Sequence, residues 1–349
     1  MSILYTFSQA KEALKQLTDG TAYRRAEATA PLSEDFRAML ERDVVPLLAP
    51  IEQFRLEQLE RKNRRKTLFK RLGWLLWLPT VVLDLYTLVS GDFPLYTLFV
   101  LAGFAVWVFY PAFVYTRHYK EKLMPVLVRA FGEFGYDKDG CIDLAAVEPF
   151  DILPSFSRKS SEDLIQGRVE DVQFEFCELK LERRGNKSNI SVHRGGALLI
   201  TMPFEFHGYT VVRADHGRLA NLLSAPMTKD RVALENPEFE DRYEVRSSDQ
   251  QYARYILSPA MMEHIIALDD LFRARAKGSG LTCEFRGNKA LFMLSYFDNL
   301  LESADINVSA YDLDKMPLVE QELAMITGII RQLKLDSMAA RNLAYDRLG

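Results

Sequence analysis

Thiols, imidazoles and indoles are scarce in this chain, whose 349 residues include 3 Cys, 5 His and 3 Trp. Cys141, Cys177 and Cys283 stand far apart, with no CxxC pair and no His at metal-ligand spacing. That pattern fits a reducing compartment and gives no reason to expect a metal or a cofactor. No phosphate loop, dinucleotide fingerprint, GxSxG elbow or HExxH occurs, so the motif-borne enzyme classes have no support and enzymatic activity is the lesser expectation. A net charge of -4 and a pI near 5.9 argue against nucleic acid as a partner. The N-terminus also lacks the basic region, apolar core and small-residue cleavage site of a signal peptide.

What is present is a pair of long apolar runs. Residues 72–89 and 93–115 would span roughly 27 Å and roughly 34 Å as helices, which suits a hydrocarbon core of about 30 Å. The connector Ser90-Gly91-Asp92 is so short that the two must be antiparallel neighbours, a hairpin occupying residues 71–116 that also serves as the targeting signal. Lys and Arg near span ends stay cytosolic, and they crowd Arg61 to Arg71 before the first run and Arg117, Lys120 and Lys122 after the second. Both termini are therefore expected in the cytosol. The bilayer itself is a partner, and the basic cluster suits anionic headgroups. Trp74, Trp77, Tyr110 and Tyr115 suit interfacial anchors, and Pro79 predicts a kink.

Asp84 lies inside the first run, where an ionisable group is a functional candidate by default. The simpler reading is a hydrogen bond to Thr80 one turn earlier, or to Tyr96 or Thr97 across the hairpin. A third possibility is a transport accessory in which several hairpins assemble around Asp84.

Around the hairpin the chain divides in order. Residues 1–32 read as a mobile arm, and 33–70 as an amphipathic cytosolic helix capped by Ser33 and bent at Pro46 and Pro50. Residues 117–336 read as a cytosolic α+β domain, an antiparallel sheet flanked by helices, and 337–349 as a tail. Asp137-Lys138-Asp139-Gly140 resembles part of a calcium loop, but Gly135 and Ala146 fall where Asp and Glu are required, so it reads as a turn. Period-two alternation begins at Val169 and continues through Leu181, Ala197 to Met202, and Phe204 to Val212, which suggests a meander. Arg242 to Arg246 is a short strand, and Gln250 to Leu257 a helical patch. Ser258-Pro259 opens a helix, Gly287-Asn288 turns a hairpin, and a last helix runs from about Pro317 to Leu333. Gly195-Gly196 reads as a turn.

Several stretches together resemble the bacterial domain-of-unknown-function family numbered 3137. They are Tyr119-Lys120 with Leu123 to Val128, Asp163 to Val169, Phe174 to Leu179, Phe206-His207-Gly208, Leu234 to Phe239, and Ala253 to Pro259. Cys177 stands where a small hydroxyl residue is expected. The resemblance implies a membrane-anchored cytosolic α+β domain of a bacterial inner-membrane protein and supplies no catalytic residue.

Three side-chain groups deserve weighing. Glu205 and His207 sit two apart on an expected strand, with His193 nearby, and read as groups on a solvated face rather than metal ligands. Glu175, Glu178, Glu235 and Glu238 could supply a carboxylate pair for acid-base work if two converge in a pocket. Arg254, inside the apolar run Tyr252 to Leu257, calls for a carboxylate partner, for which Glu235 or Glu238 would serve. The leading expectation is a non-enzymatic binding or scaffold module at the membrane surface, recognising a protein partner or lipid. A membrane-proximal, hydrolase-like enzyme is the alternative.

Overall fold

A computed structural model describes residues 33–90, 96–185, 188–214, 230–276, 280–296, 304–313 and 316–345. The expected arm over 1–32 and the Gly91-Asp92 part of the connector lie outside them. The chain forms two units: Met1–Leu127 with Glu302–Pro317, and Val128–Leu301 with Leu318–Gly349.

The first unit is helical. Ser33 Oγ accepts the Phe36 N–H at 3.2 Å and opens α1 (Glu34–Met39), which a π-helical segment, Leu40–Val44, joins to α2 (Val45–Val89). The α-helix is interrupted directly before Pro46 by that π-helical segment, whereas Pro50 lies inside α2. From Val45 onward the expected amphipathic helix and the first apolar run are thus one 45-residue helix. It bends by 47° between Leu75 and Trp77, beside the carbonyl that the Pro79 ring four residues on pushes away.

The second long helix, α3 (Tyr96–Arg129), has an 18-residue window of mean hydropathy 2.0 that is only 11% buried. It is long and apolar enough to cross a membrane by itself, whereas α2 qualifies only if both sides of its bend count as one span. Trp74, Val82, Leu85, Phe99, Val106 and Phe113 are exposed along these helices, which is not the pattern of a soluble core. The two helices touch at Phe54 and His118, with ring centroids 4.2 Å apart, and at Phe69 and Phe104, 4.8 Å apart. Arg65 Nη1 donates to the Trp107 carbonyl at 2.7 Å. The basic run therefore lies beside Trp107 rather than beside Tyr115, the end expected for the second run.

The second unit is built on one eight-stranded, wholly antiparallel sheet of order β1-β2-β3-β4-β8-β7-β5-β6. The strands are β1 (Gly135–Asp137), β2 (Arg158–Val169), β3 (Val172–Arg184), β4 (Asn189–Thr201), β5 (Tyr209–Ala214), β6 (Tyr243–Ser247), β7 (Gly280–Arg286) and β8 (Lys289–Ser295). The expected meander holds for β3 and β4 only, because β8 rather than β5 pairs with β4. Gly287, at φ +57°, turns the β7–β8 hairpin as its sequence requires. The helices are α4 (Pro237–Arg242), α5 (Gln250–Ile256), α6 (Pro259–Ala276) and α7 (Met316–Tyr345), the last running beyond the Asp336 boundary expected. Ser258 Oγ caps α6 by accepting the Met261 N–H at 3.2 Å. One sheet face buries Cys177, Leu179, Ala197 and Leu291 under Ile142, Val147 and Phe150 from the segment after β1. On the other face α6 stacks Phe272 on Tyr296, with centroids 5.5 Å apart, and α7 runs beside α6 with Gly328 near His264.

Gly195 and Gly196 are interior to β4 and make no turn. A Cβ on Gly195, at φ +148°, would stand 1.9 Å from the Leu294 carbonyl oxygen, so only glycine lets β8 approach this closely.

Candidate functional site

Strand alternation builds the site, because on β3 the residues Phe174, Phe176, Glu178 and Lys180 share one face. Phe174 and Phe176 are buried, whereas Glu178 is half-buried and Lys180 exposed. The register sets Ser160 opposite Lys180 and Glu162 opposite Glu178, then Lys180 opposite Arg194 and Glu178 opposite Gly196. Directly opposed Cβ atoms lie about 5 Å apart, so Ser160, Glu162, Glu178, Lys180 and Arg194 form one polar patch. Tyr296 completes it, because its backbone N–H donates to the Arg194 carbonyl at 2.9 Å.

These residues line a cavity of about 250 Å³. Lys180 pairs with Glu182 at 2.5 Å, and Arg194 has no ion-pair partner among the described residues. The Tyr296 hydroxyl is buried with no hydrogen-bond partner among the described residues, and a Cβ on Gly196 would lie 3.1 Å from it. Burial, followed by the nearby Glu178 charge, raises the Tyr296 pKa far above that of an ordinary phenol. Two carboxylates beside two cations, with hydroxyl donors at hand, can bind a group carrying both charges.

The carboxylates named from sequence do not converge. Glu175 and Glu178 lie on opposite faces of β3, and the Glu175 carboxylate accepts the Asp143 N–H at 2.7 Å, which ties down the segment after β1. Glu235 is exposed, and Glu238 pairs within α4 with Arg242 at 2.7 Å. Arg254 is exposed and donates to the Ala233 carbonyl at 3.4 Å, so the expected bridge to Glu235 or Glu238 is absent among the described residues. Its helical phase is the reason: Tyr252, Ala253 and Ile256 turn inward on α5, while Arg254 points outward.

His207 stacks on Tyr252 at 4.7 Å, and Glu205 is exposed in a loop before β5 rather than in a strand. His193 is buried instead of solvated, because strand alternation puts it on the face of Ala197 and Leu199, directly opposite the buried Leu181. Burial lowers its pKa to about 4. No group of three or more metal-ligating residues occurs among the described residues.

Asp84 accepts the Tyr96 N–H at 2.8 Å and the Thr97 N–H at 2.9 Å, so its carboxylate caps the start of α3. Sequence reasoning missed Glu52 and Arg55 altogether. Arg55 binds Glu52 through two nitrogens, at 2.8 and 2.7 Å, and donates to the Ile306 carbonyl at 2.7 Å. Glu52 in turn accepts the Ala310 N–H at 2.8 Å. Both are typical helix-surface residues, so the sequence carried no signal of their burial.

The fold thus defines an α+β domain on an eight-stranded antiparallel sheet, with a polar pocket. Residues 191–335 match the family described as "Protein of unknown function (DUF3137)", so the resemblance read from the sequence holds over that segment. A solved structure, "crystal structure of the mycobacterial trehalose monomycolate transport factor A, TtfA", is similar at 10% identity and a TM-score of 0.32, covering 62% of this chain and 94% of that one. No curated protein matches.

Proposed function

We propose that the protein is anchored in the bacterial inner membrane by the apolar segments of α2 and α3, the second ending at the level of Trp107 to Tyr110, with both termini cytosolic, and that its second unit is a non-enzymatic binding module for a protein partner. The observation that carries this reading is the exposure of many large apolar side chains along α2 and α3, among them Leu72, Leu85, Phe99 and Phe113, beside a basic run with no ion-pair partner among the described residues. The sheet pocket supports recognition of a partner group bearing both charges. The capping bonds of Asp84 account for its position and favour a structural role over a transport role.

The test is extraction of the tagged full-length protein in mild detergent, followed by mass spectrometry of what copurifies. A stoichiometric partner lost on Arg194→Glu is expected. Recovery of the same set of proteins with and without that substitution would overturn the pocket as the binding site.

A second reading, a membrane-proximal enzyme, is favoured by one observation: Glu162 and Glu178 face each other across β2 and β3 inside the pocket. It requires turnover that Glu178→Gln abolishes while the protein still folds.

A further inference from the structure

We propose that α2 and α3 hold an anionic phospholipid in the groove between them, with its phosphate at Lys62 and Lys66 and its acyl chain along Phe69, Leu101, Phe104 and Ala105. The inference rests on the membrane-anchored reading above. The groove has a volume of about 390 Å³, and its two lysines stand above walls that are otherwise apolar. Its lining is therefore amphiphilic in the sense that a lipid is, and a free phosphate ion would leave the aromatic walls uncovered.

Three observations select this occupant. Charge is the first: among the described residues no acidic side chain pairs with the cations from Arg61 to Arg71, and Lys62 is held by the neutral Asn307 at 3.0 Å. A phosphodiester supplies the missing negative charge. Depth is the second. The Arg65 guanidinium lies 5.3 Å from the Trp107 ring and 6.0 Å from the Tyr110 ring, and Lys62 lies 5.7 Å from the Phe109 ring. Cations over aromatic rings at the edge of an apolar segment mark the headgroup level, which puts the lysines where lipid phosphates sit. Direction is the third. From Lys62 and Lys66 the groove descends past Phe69 and Phe104, whose rings are 4.8 Å apart, towards Leu101 and the exposed apolar surface of both helices. A lipid seated there continues directly into the bilayer.

The test reconstitutes the full-length protein in vesicles of phosphatidylcholine and phosphatidylglycerol in equal amounts, re-extracts it into lipid-free detergent, and quantifies retained lipid by mass spectrometry. The wild-type protein is expected to retain phosphatidylglycerol at fixed stoichiometry in preference to phosphatidylcholine. K62Q/K66Q should weaken that retention by about thirtyfold. Ala105→Trp, which fills the groove without touching its charge, should abolish it. K70Q/R71Q, which removes the same charge outside the groove, should leave it unchanged.

Equal losses in K62Q/K66Q and K70Q/R71Q would overturn the site in favour of diffuse electrostatics, as would full retention in Ala105→Trp. Both failures leave the protein in the membrane pellet. A protein recovered in the soluble fraction would instead mean that the anchoring reading itself fails.

Discussion

Glu52 and Arg55 show how a pair of ordinary helix-surface residues becomes structural. Their side chains are 14% and 8% exposed, and together they engage Ile306 and Ala310 of the segment after the sheet. Burial raises the Glu52 pKa, but the Arg55 guanidinium and the Ala310 N–H outweigh it and leave the value below that of an ordinary glutamate. Stability from a carboxyl depressed in the folded state is present above its unfolded value and lost as pH falls through the folded one. Acid should therefore release this segment, and Arg55→Ala, which strands a buried carboxylate, should cost about 3 kcal/mol in denaturant unfolding.

His193 has the same sign of pH dependence. Its folded value of about 4 lies below the ordinary histidine value of 6.5, so stability falls as pH drops between those values, by up to about 3 kcal/mol. His193→Gln should flatten the unfolding midpoint over that window. Cys141 offers a chemical check. Hydrogen bonds from Cys177 and Ser161, with Lys159 nearby, lower its pKa against the opposing effect of burial, while Cys177 and Cys283 are pushed up. Iodoacetamide should label Cys141 in preference to the buried Cys177 and Cys283 in the native protein, and at a lower pH than an ordinary thiol.

Among elements, the glycine pair in β4 has the largest expected effect. Gly195→Ala forces a side chain against the Leu294 carbonyl at a left-handed φ and should destabilise by about 3 kcal/mol or more, measured by chemical denaturation. Local signals of this scale were legible where one short stretch decides the outcome, as at the Ser258-Pro259 cap and the Gly287-Asn288 turn. They misled where the outcome depends on a distant strand: the glycine pair reads as a turn until β8 is known to lie against it. β2 escaped detection up to Arg168, because Arg158 to Glu162 are polar and lack the alternation of a half-buried strand. Arg254 shows the opposite error, since an apolar run was read without its helical phase.

For the whole molecule, the sequence announced the apolar helices and the α+β class because hydropathy and periodicity are properties of contiguous residues. The pocket was not legible: it gathers residues from position 160 to position 296, and only the strand order brings β2, β3, β4 and the end of β8 together. The same holds for the helix pairing, which sets Arg65 beside Trp107 rather than beside Tyr115. The proposed topology, with both termini cytosolic, predicts that a membrane-impermeant maleimide applied from outside labels Ser90→Cys in intact spheroplasts and leaves Ser33→Cys unlabelled until lysis.

Membrane anchoring is the claim on which the rest depends, and alkaline carbonate extraction of membranes carrying the full-length protein tests it most directly. Retention in the pellet after extraction, with release only by detergent, is the result expected of helices whose apolar faces are in lipid. Quantitative release into the supernatant would contradict the account.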